Sequence, residues 1–188
     1  LKSREDTREK ILRAAAELIG ESAGSIETIT VRAIAERANV GVGLINYHFQ
    51  TKEHLIELCV QQLIGSFIAG FKPDVGPGLK GAAYLAAVVK NVADFLAANP
   101  AVSQISILGD FKSPEAGDNT MKTVRGLLLS LQGLDFPERD KALLMFAVTS
   151  VLQGIFLRRE LSGALFGYDF NDKTQRDAMI DLIVNRLM

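Results

Sequence analysis

The chain has a single cysteine, Cys59, and only two histidines, His48 and His54, in 188 residues. One cysteine can form neither an intrachain disulfide nor a multi-cysteine zinc site, and the expected setting is the reducing cytoplasm. Cys59 itself reads as a small buried apolar residue. With the two histidines six residues apart and no glycine-rich loop following a strand, nothing supports catalysis, a metal centre or a bound cofactor. Sustained strand-like alternation, internal repeats and low-complexity tracts are all missing. No secretory pattern opens the chain, because Lys2 to Lys10 is densely charged. The longest uncharged stretch, Ala142 to Leu157, is too short to span a membrane and carries Thr149, Ser150 and Gln153. Positive charge is not in excess either. The net charge is −1, and residues 1–60 hold eight Lys/Arg against nine Asp/Glu. A nucleic-acid reader built from this chain must arrange its basic groups, since it does not accumulate them.

Helical periodicity fills the chain. With 48% hydrophobic and 23% charged residues the composition is that of a globular protein. A first helix is predicted over Asp6 to Ile19, with Ile11, Leu12, Ala15, Leu18 and Ile19 on one face. Gly20 to Ser25 breaks it, two short helices follow over Val31–Ala38 and Val42–Phe49, and Thr51 caps a long fourth helix to about Gly70. Lys72 to Gly78 is a clear loop. Further helices are predicted near Leu79–Ala98, Pro100–Phe111, Asp118–Leu131, Pro137–Leu161 and Asn171–Met188, with Pro100 and Pro137 in first turns. The fold class is all-α: a three-helix head over residues 1–50 and a larger helical body over 51–188.

The informative segment is Val31 to Phe49. Ile34, Ala35 and Ala38 line one side of its first helix, and Ile45 and Phe49, spaced i and i+4, face back from the second. Asn39 falls at the sharp turn, where Asn best tolerates the left-handed conformation. These features describe a helix-turn-helix, with an ordinary helical corner as the plainer alternative. If Ile45 and Phe49 face inward, Val42, Gly43, Asn46 and Tyr47 face outward. Gly43 inside a helix costs on the order of 1 kcal/mol relative to Ala, so it marks either close approach to a phosphate backbone or helix packing. Asn46 suits a bidentate pair with adenine, and Val42 or Leu44 suits a thymine methyl. Tyr47, Lys52 and the Thr51-capped helix start suit phosphate oxygens. Thr30 is placed to cap a helix, to touch phosphate, or both. His48 is more often a packing residue than a reader.

Thr7-Arg-Glu-Lys-Ile-Leu-Arg-Ala-Ala, Ile29-Thr-Val-Arg-Ala-Ile-Ala-Glu-Arg-Ala-Asn-Val, Gly41-Val-Gly-Leu-Ile-Asn-Tyr-His-Phe and Thr51-Lys-Glu-His-Leu resemble, in order and spacing, the TetR family of bacterial repressors. The resemblance covers about residues 7–56. It implies a dimer on a palindromic operator in double-stranded DNA, released when a small molecule enters the C-terminal domain. It also implies phosphate contacts from Thr30, Tyr47 and Lys52, and base contacts from Val42, Gly43, Leu44 and Asn46, with His48 in a lesser role. Three positions depart from the family pattern: Val42 stands where a basic residue is common, Gly41 where a small polar one is, and Asn39 where glycine is. Lys2 and Arg4 are candidates to compensate as a minor-groove arm, or form a plain solvated terminus.

Past residue 56 no motif is portable. The last two helices resemble the family's dimerisation pair. Leu143, Leu144, Ala147, Val151 and Ile155 form one apolar stripe and Ile180, Ile183, Val184 and Leu187 another. They serve either a homodimer or packing within one chain. A pocket for a small apolar or amphipathic effector is expected among the middle helices, with Phe67, Tyr84, Asn91, Gln104, Phe111, Thr149 and Gln153 as its candidate lining. The implied mechanism sets two copies of Val42–His48 in successive major grooves, roughly 34–36 Å apart, and uses the ligand to spread them. Rival readings are a helical protein-interaction module, a helical enzyme or carrier, and a DNA binder without effector.

Overall fold

A computed structural model describes residues 2–22, 25–131 and 136–188, with the side chains of residues 2–5 excepted. Among these the chain is helical and has no strand. The helices are α1 (Lys2–Glu21), α2 (Val31–Ala38), α3 (Val42–Phe49), α4 (Lys52–Gly70), α5 (Gly81–Ala98), α6 (Pro100–Lys112), α7 (Asn119–Leu128), α8 (Glu138–Phe156), α9 (Ser162–Phe166) and α10 (Lys173–Leu187). Part of the expected break after α1, Ala23 and Gly24, lies outside the described residues, as do the side chains of Lys2 and Arg4; the backbone is already helical at Lys2.

Local chemistry sets most boundaries. Thr30, Thr51, Asp118 and Asp172 each accept a hydrogen bond from the backbone N–H three residues on, capping α2, α4, α7 and α10. Asn39 ends α2 in the left-handed conformation (φ 53°, ψ 50°), as its residue type predicts. Pro100 opens α6 in its first turn, while Pro137 sits one step outside α8, at its N-cap. The polar clamp of Asn91 fixes the α4–α5 loop, accepting from Asp74 N–H at 2.9 Å and donating to Asp74 O at 3.1 Å.

The expected helix Pro137–Leu161 is shorter. It ends at Phe156, and the following segment (Arg159–Phe166) turns away by 71°. Ser162 makes the turn worthwhile: its hydroxyl donates to Arg159 O at 2.8 Å and accepts from Phe170 N–H at 2.8 Å. Phe170 is thereby buried edge-to-face against Phe156, with ring centroids 5.8 Å apart. Likewise α7 stops at Leu128 and finishes as a 3₁₀ turn to Leu131.

Two apolar cores result. The head core gathers Ile11, Leu12, Ala15 and Ile19 of α1 with Ile34, Ala35, Ile45 and Phe49, closed by Leu55, Ile56, Cys59 and Val60 of α4. The body core is built on α5, which packs against α8 and α10, with α7 laid on α8. By length and composition α5 is apolar enough to cross a membrane. Here its Lys90 pairs with Asp181 at 2.7 Å and its Asp94 with Arg176 and Lys173, tying it to α10. Of the two predicted stripes, Ile180 and Val184 on α10 are buried in their own subunit, while Leu143 and Val151 on α8 stay exposed.

Candidate nucleic-acid interface and body cavity

Ile45 and Phe49 are each 1% exposed and lock α3 onto α1, α2 and α4. Burying Phe49 alone stabilises the head by roughly 2–3 kcal/mol. The opposite face is left to solvent. Val42, Leu44 and Tyr47 are 41%, 43% and 57% exposed, and Gly43 and Asn46 are exposed beside them. His48 is half-buried, with its ring 5.2 Å from Tyr47 in a T-shaped contact.

Gly43 had two readings, and packing within the chain is not one it needs. A methyl group added there meets no atom within 4 Å, and the same holds at Gly41. Nothing in this subunit asks for the missing side chain, so the helical cost of the glycine is tied to something outside it. Gly41 brings no side-chain cap to the start of α3, which is the positive end of the helix dipole, and in that first turn Leu44 N–H donates to Gly41 O at 2.9 Å. Thr30 Oγ1 accepts from Ala33 N–H at 3.1 Å, which leaves its hydroxyl proton available to a phosphate oxygen. Lys52 is half-buried at the start of α4.

Two features of this face were missed from sequence. Gln50 joins α3 to α4 through a γ-turn (φ 64°, ψ −54°), in which Thr51 N–H donates to Phe49 O at 2.7 Å. Such a turn is rare for a residue with a side chain and sets the angle between the two helices. Arg8 of α1 lies over the Phe49 ring, 5.4 Å from its centroid, and so brings a cation to the end of α3. Charge is also arranged. Arg37 of α2 takes up Glu21 (2.9 Å) and Glu17 (3.4 Å) of α1, and its hydrogen bond holds the Glu21 carboxyl below its usual pKa.

The body holds an apolar cavity of about 60 Å³ between α4, α5, α6, α7 and α8. Three of the seven candidate pocket residues, Phe67, Thr149 and Gln153, line it. Phe67 stacks on Phe95 at 3.7 Å, and this pair separates the cavity from a groove of about 540 Å³ toward the head. The other four lie elsewhere. Tyr84 borders a separate recess with Phe71 and Val88, and Asn91 is the loop clamp. Gln104 sits in an outer groove, accepting from Arg159 at 3.4 Å, and Phe111 is 57% exposed.

A polar seam runs along the cavity wall. Gln153 Nε2 donates to Thr120 Oγ1 (2.9 Å), and Thr120 donates through Oγ1 and N–H to Asp110 Oδ2 (both 2.8 Å). Asp110 Oδ1 accepts from Gln61 Nε2 of α4 at 3.0 Å, and Asn119 Nδ2 donates to Gln61 Oε1 at 2.6 Å. Gly109 permits this closeness, because a methyl group there would lie 2.8 Å from Gln61 Nε2. The signal for the seam was present in sequence: Ser103, Ser106 and Asp110 recur at i, i+3 and i+7 on an otherwise apolar helix. Cys59 is buried as expected, and burial pushes its thiol pKa up to about 12, so it stays protonated and inert.

A helix-turn-helix head with an exposed second helix, set on a helical body, defines a class of DNA-binding regulators. Residues 11–59 match the family model of the bacterial regulatory proteins, tetR family. That match falls on the segments whose order and spacing resemble the family. The whole chain is similar in fold to a TetR transcriptional regulator from Rhodococcus sp. RHA1, with TM-score 0.61 and 18% identity over 100% of this chain and 97% of that one. It is similar also to a TetR regulator from Streptomyces coelicolor (TM-score 0.64, 20% identity, 96% of each chain). Mycobacterium smegmatis BioQ is a third (TM-score 0.60, 17% identity, 94% of each chain). No curated protein matches the chain by sequence.

Proposed function

We propose that this chain is a homodimeric repressor that reads a palindromic operator with α3 and is released by a small effector bound in the body. The single observation carrying the DNA reading is the outward face of α3. There Val42, Gly43, Leu44 and Asn46 stand exposed, and the glycine serves no packing need in its own subunit. A solvated face gains nothing from valine and leucine, whereas a major-groove face uses them on thymine methyls and uses Asn46 on adenine. Thr30, Tyr47 and Lys52 serve phosphates, and His48 backs Tyr47. Dimerisation is assigned chiefly to α8, whose Leu143, Phe146 and Val151 are 67%, 42% and 40% exposed, with Leu182 of α10 alongside. Gly154 on the same helix has open space where a side chain would be, which suits close approach of a partner helix.

The deciding experiment is selection of bound sequences from random duplex DNA with the purified dimer, followed by anisotropy titration across salt. A palindromic consensus whose affinity falls steeply with salt is expected. Failure to enrich any sequence would favour the reading of α3 as a protein-docking helix.

A further inference from the structure

The body cavity has a chemical preference written into its wall. Ser103 and Gln153 line it at 1% and 7% exposure, and the Ser103 hydroxyl oxygen and Gln153 Oε1 are buried without a hydrogen-bond partner among the described residues. Leaving such groups unpaired costs on the order of 1–3 kcal/mol each, so the site is incomplete as it stands. The unmet need has a direction. Gln153 has already committed its amide nitrogen to Thr120, so its free atom is a carbonyl oxygen that only accepts. Asp110, also in the wall and 6% exposed, puts a carboxylate behind it, and among the described residues no Lys, Arg or His lines the cavity. The remaining wall is aliphatic and aromatic, with the stacked Phe67–Phe95 pair at one end.

From this we infer that the effector is a compact, largely apolar molecule carrying one hydrogen-bond-donating group, a hydroxyl or an amine, that docks on Gln153 Oε1 and Ser103, and that anions are excluded. A carboxylate or phosphate would meet an acceptor oxygen and a buried like charge, with no cation to neutralise it. A donor satisfies Gln153 while its apolar part fills the space beside Phe67. Water can satisfy the same atoms, and an alcohol or amine replaces that water without losing its hydrogen bonds. The cavity is several times what one water needs and well below a drug-sized pocket, so the ligand is of single-ring size. This inference rests on the effector reading above but not on DNA binding.

Four probes of one size separate the possibilities: benzyl alcohol, benzylamine, benzoate and toluene, each titrated at millimolar concentration into the DNA-free dimer by calorimetry and thermal shift. Benzyl alcohol or benzylamine is expected to bind about three- to tenfold more tightly than toluene, the span of one net hydrogen bond, and benzoate is expected not to bind. Which of the two donors is preferred tells a neutral hydroxyl from a cation drawn by Asp110. Gln153→Leu removes the acceptor, and Ser103→Ala removes the second orphan while leaving the Thr120–Asp110 chain intact. Gln153→Leu is expected to bring benzyl alcohol and toluene to equal affinity, whereas Ser103→Ala, which keeps the Gln153 acceptor, is expected to narrow the difference without removing it. Benzoate binding as well as the donors, toluene binding as well as benzyl alcohol, or no probe binding at all would overturn the proposal. Binding that leaves operator affinity unchanged would instead overturn release by effector and leave the ligand class standing.

Discussion

The two cores of this chain are built from different materials. Around Phe49 the head buries apolar side chains only, among the described residues, whereas all nine buried polar or charged side chains lie beyond residue 100. Apolar packing is non-directional and dense, and it holds α3 in one orientation whatever happens elsewhere. Hydrogen bonds are directional, and a seam such as Gln153–Thr120–Asp110–Gln61 has a small set of alternative pairings. The contrast separates a part made to keep its shape from a part able to exchange one arrangement for another. Helix α4 belongs to both: Leu55, Cys59 and Val60 face the head core, and Gln61 ends the seam. A change at the cavity therefore has a short physical route to the helix that follows α3.

The sharpest break of that comparison is Phe49→Ala. Removing a fully buried ring from a core with no polar alternatives should cost about 3–5 kcal/mol, read as a lowered urea midpoint, and should abolish operator binding. Next comes Asp110→Asn in the seam. An amide cannot accept from Gln61 on one side and Thr120 on the other, so one donor is left unpaired at a cost of about 1–3 kcal/mol by the same measurement. Operator binding without effector should survive this change, because the head core is untouched.

Smaller and opposite in sign is Gly43→Ala. With open space around it, the substitution should raise stability by up to about 1 kcal/mol through helix propensity, while the operator Kd rises. A stabilised variant with unchanged DNA affinity would show that the glycine serves no approach to DNA. The smallest effect concerns pH. Partial burial pushes the Asp94 pKa up, but hydrogen bonds from Lys173 and Arg176 outweigh it and hold the carboxyl below its usual value. A depressed pKa contributes stability that is present above the unfolded value near 3.8 and lost as pH falls through the folded one. Acid unfolding of the wild type should therefore steepen below pH 3.8, and Asp94→Asn should remove that dependence at the α5–α10 contact.

The head was legible because its rules are local. Caps at Thr30 and Thr51, the left-handed turn at Asn39 and the inward pair Ile45 and Phe49 each follow from residue type and spacing within one or two turns. Body helices were legible as helices, yet the candidate pocket residues divided. Gln153 reached the cavity wall and met Thr120 across it, while Thr149 lines the cavity with its hydroxyl turned onto Met145 O of its own helix. Asn91 is likewise a polar residue on an apolar helix and instead clamps a loop, since nothing local distinguishes a backbone partner from a ligand. The end of α8 was misplaced because Ser162 acts on Phe170 eight residues later.

By itself, then, the sequence determined the all-α class, the helix-turn-helix, the side of α3 that faces outward and the burial of Cys59. Those follow from periodicity, capping and burial, which operate along the chain. Only the tertiary structure decided that the outward glycine has no neighbour in its own subunit, that Arg8 reaches the end of α3, and that Gln153 keeps an acceptor free inside the body. Each of these depends on which groups from distant elements arrive, or fail to arrive, within hydrogen-bonding or van der Waals reach.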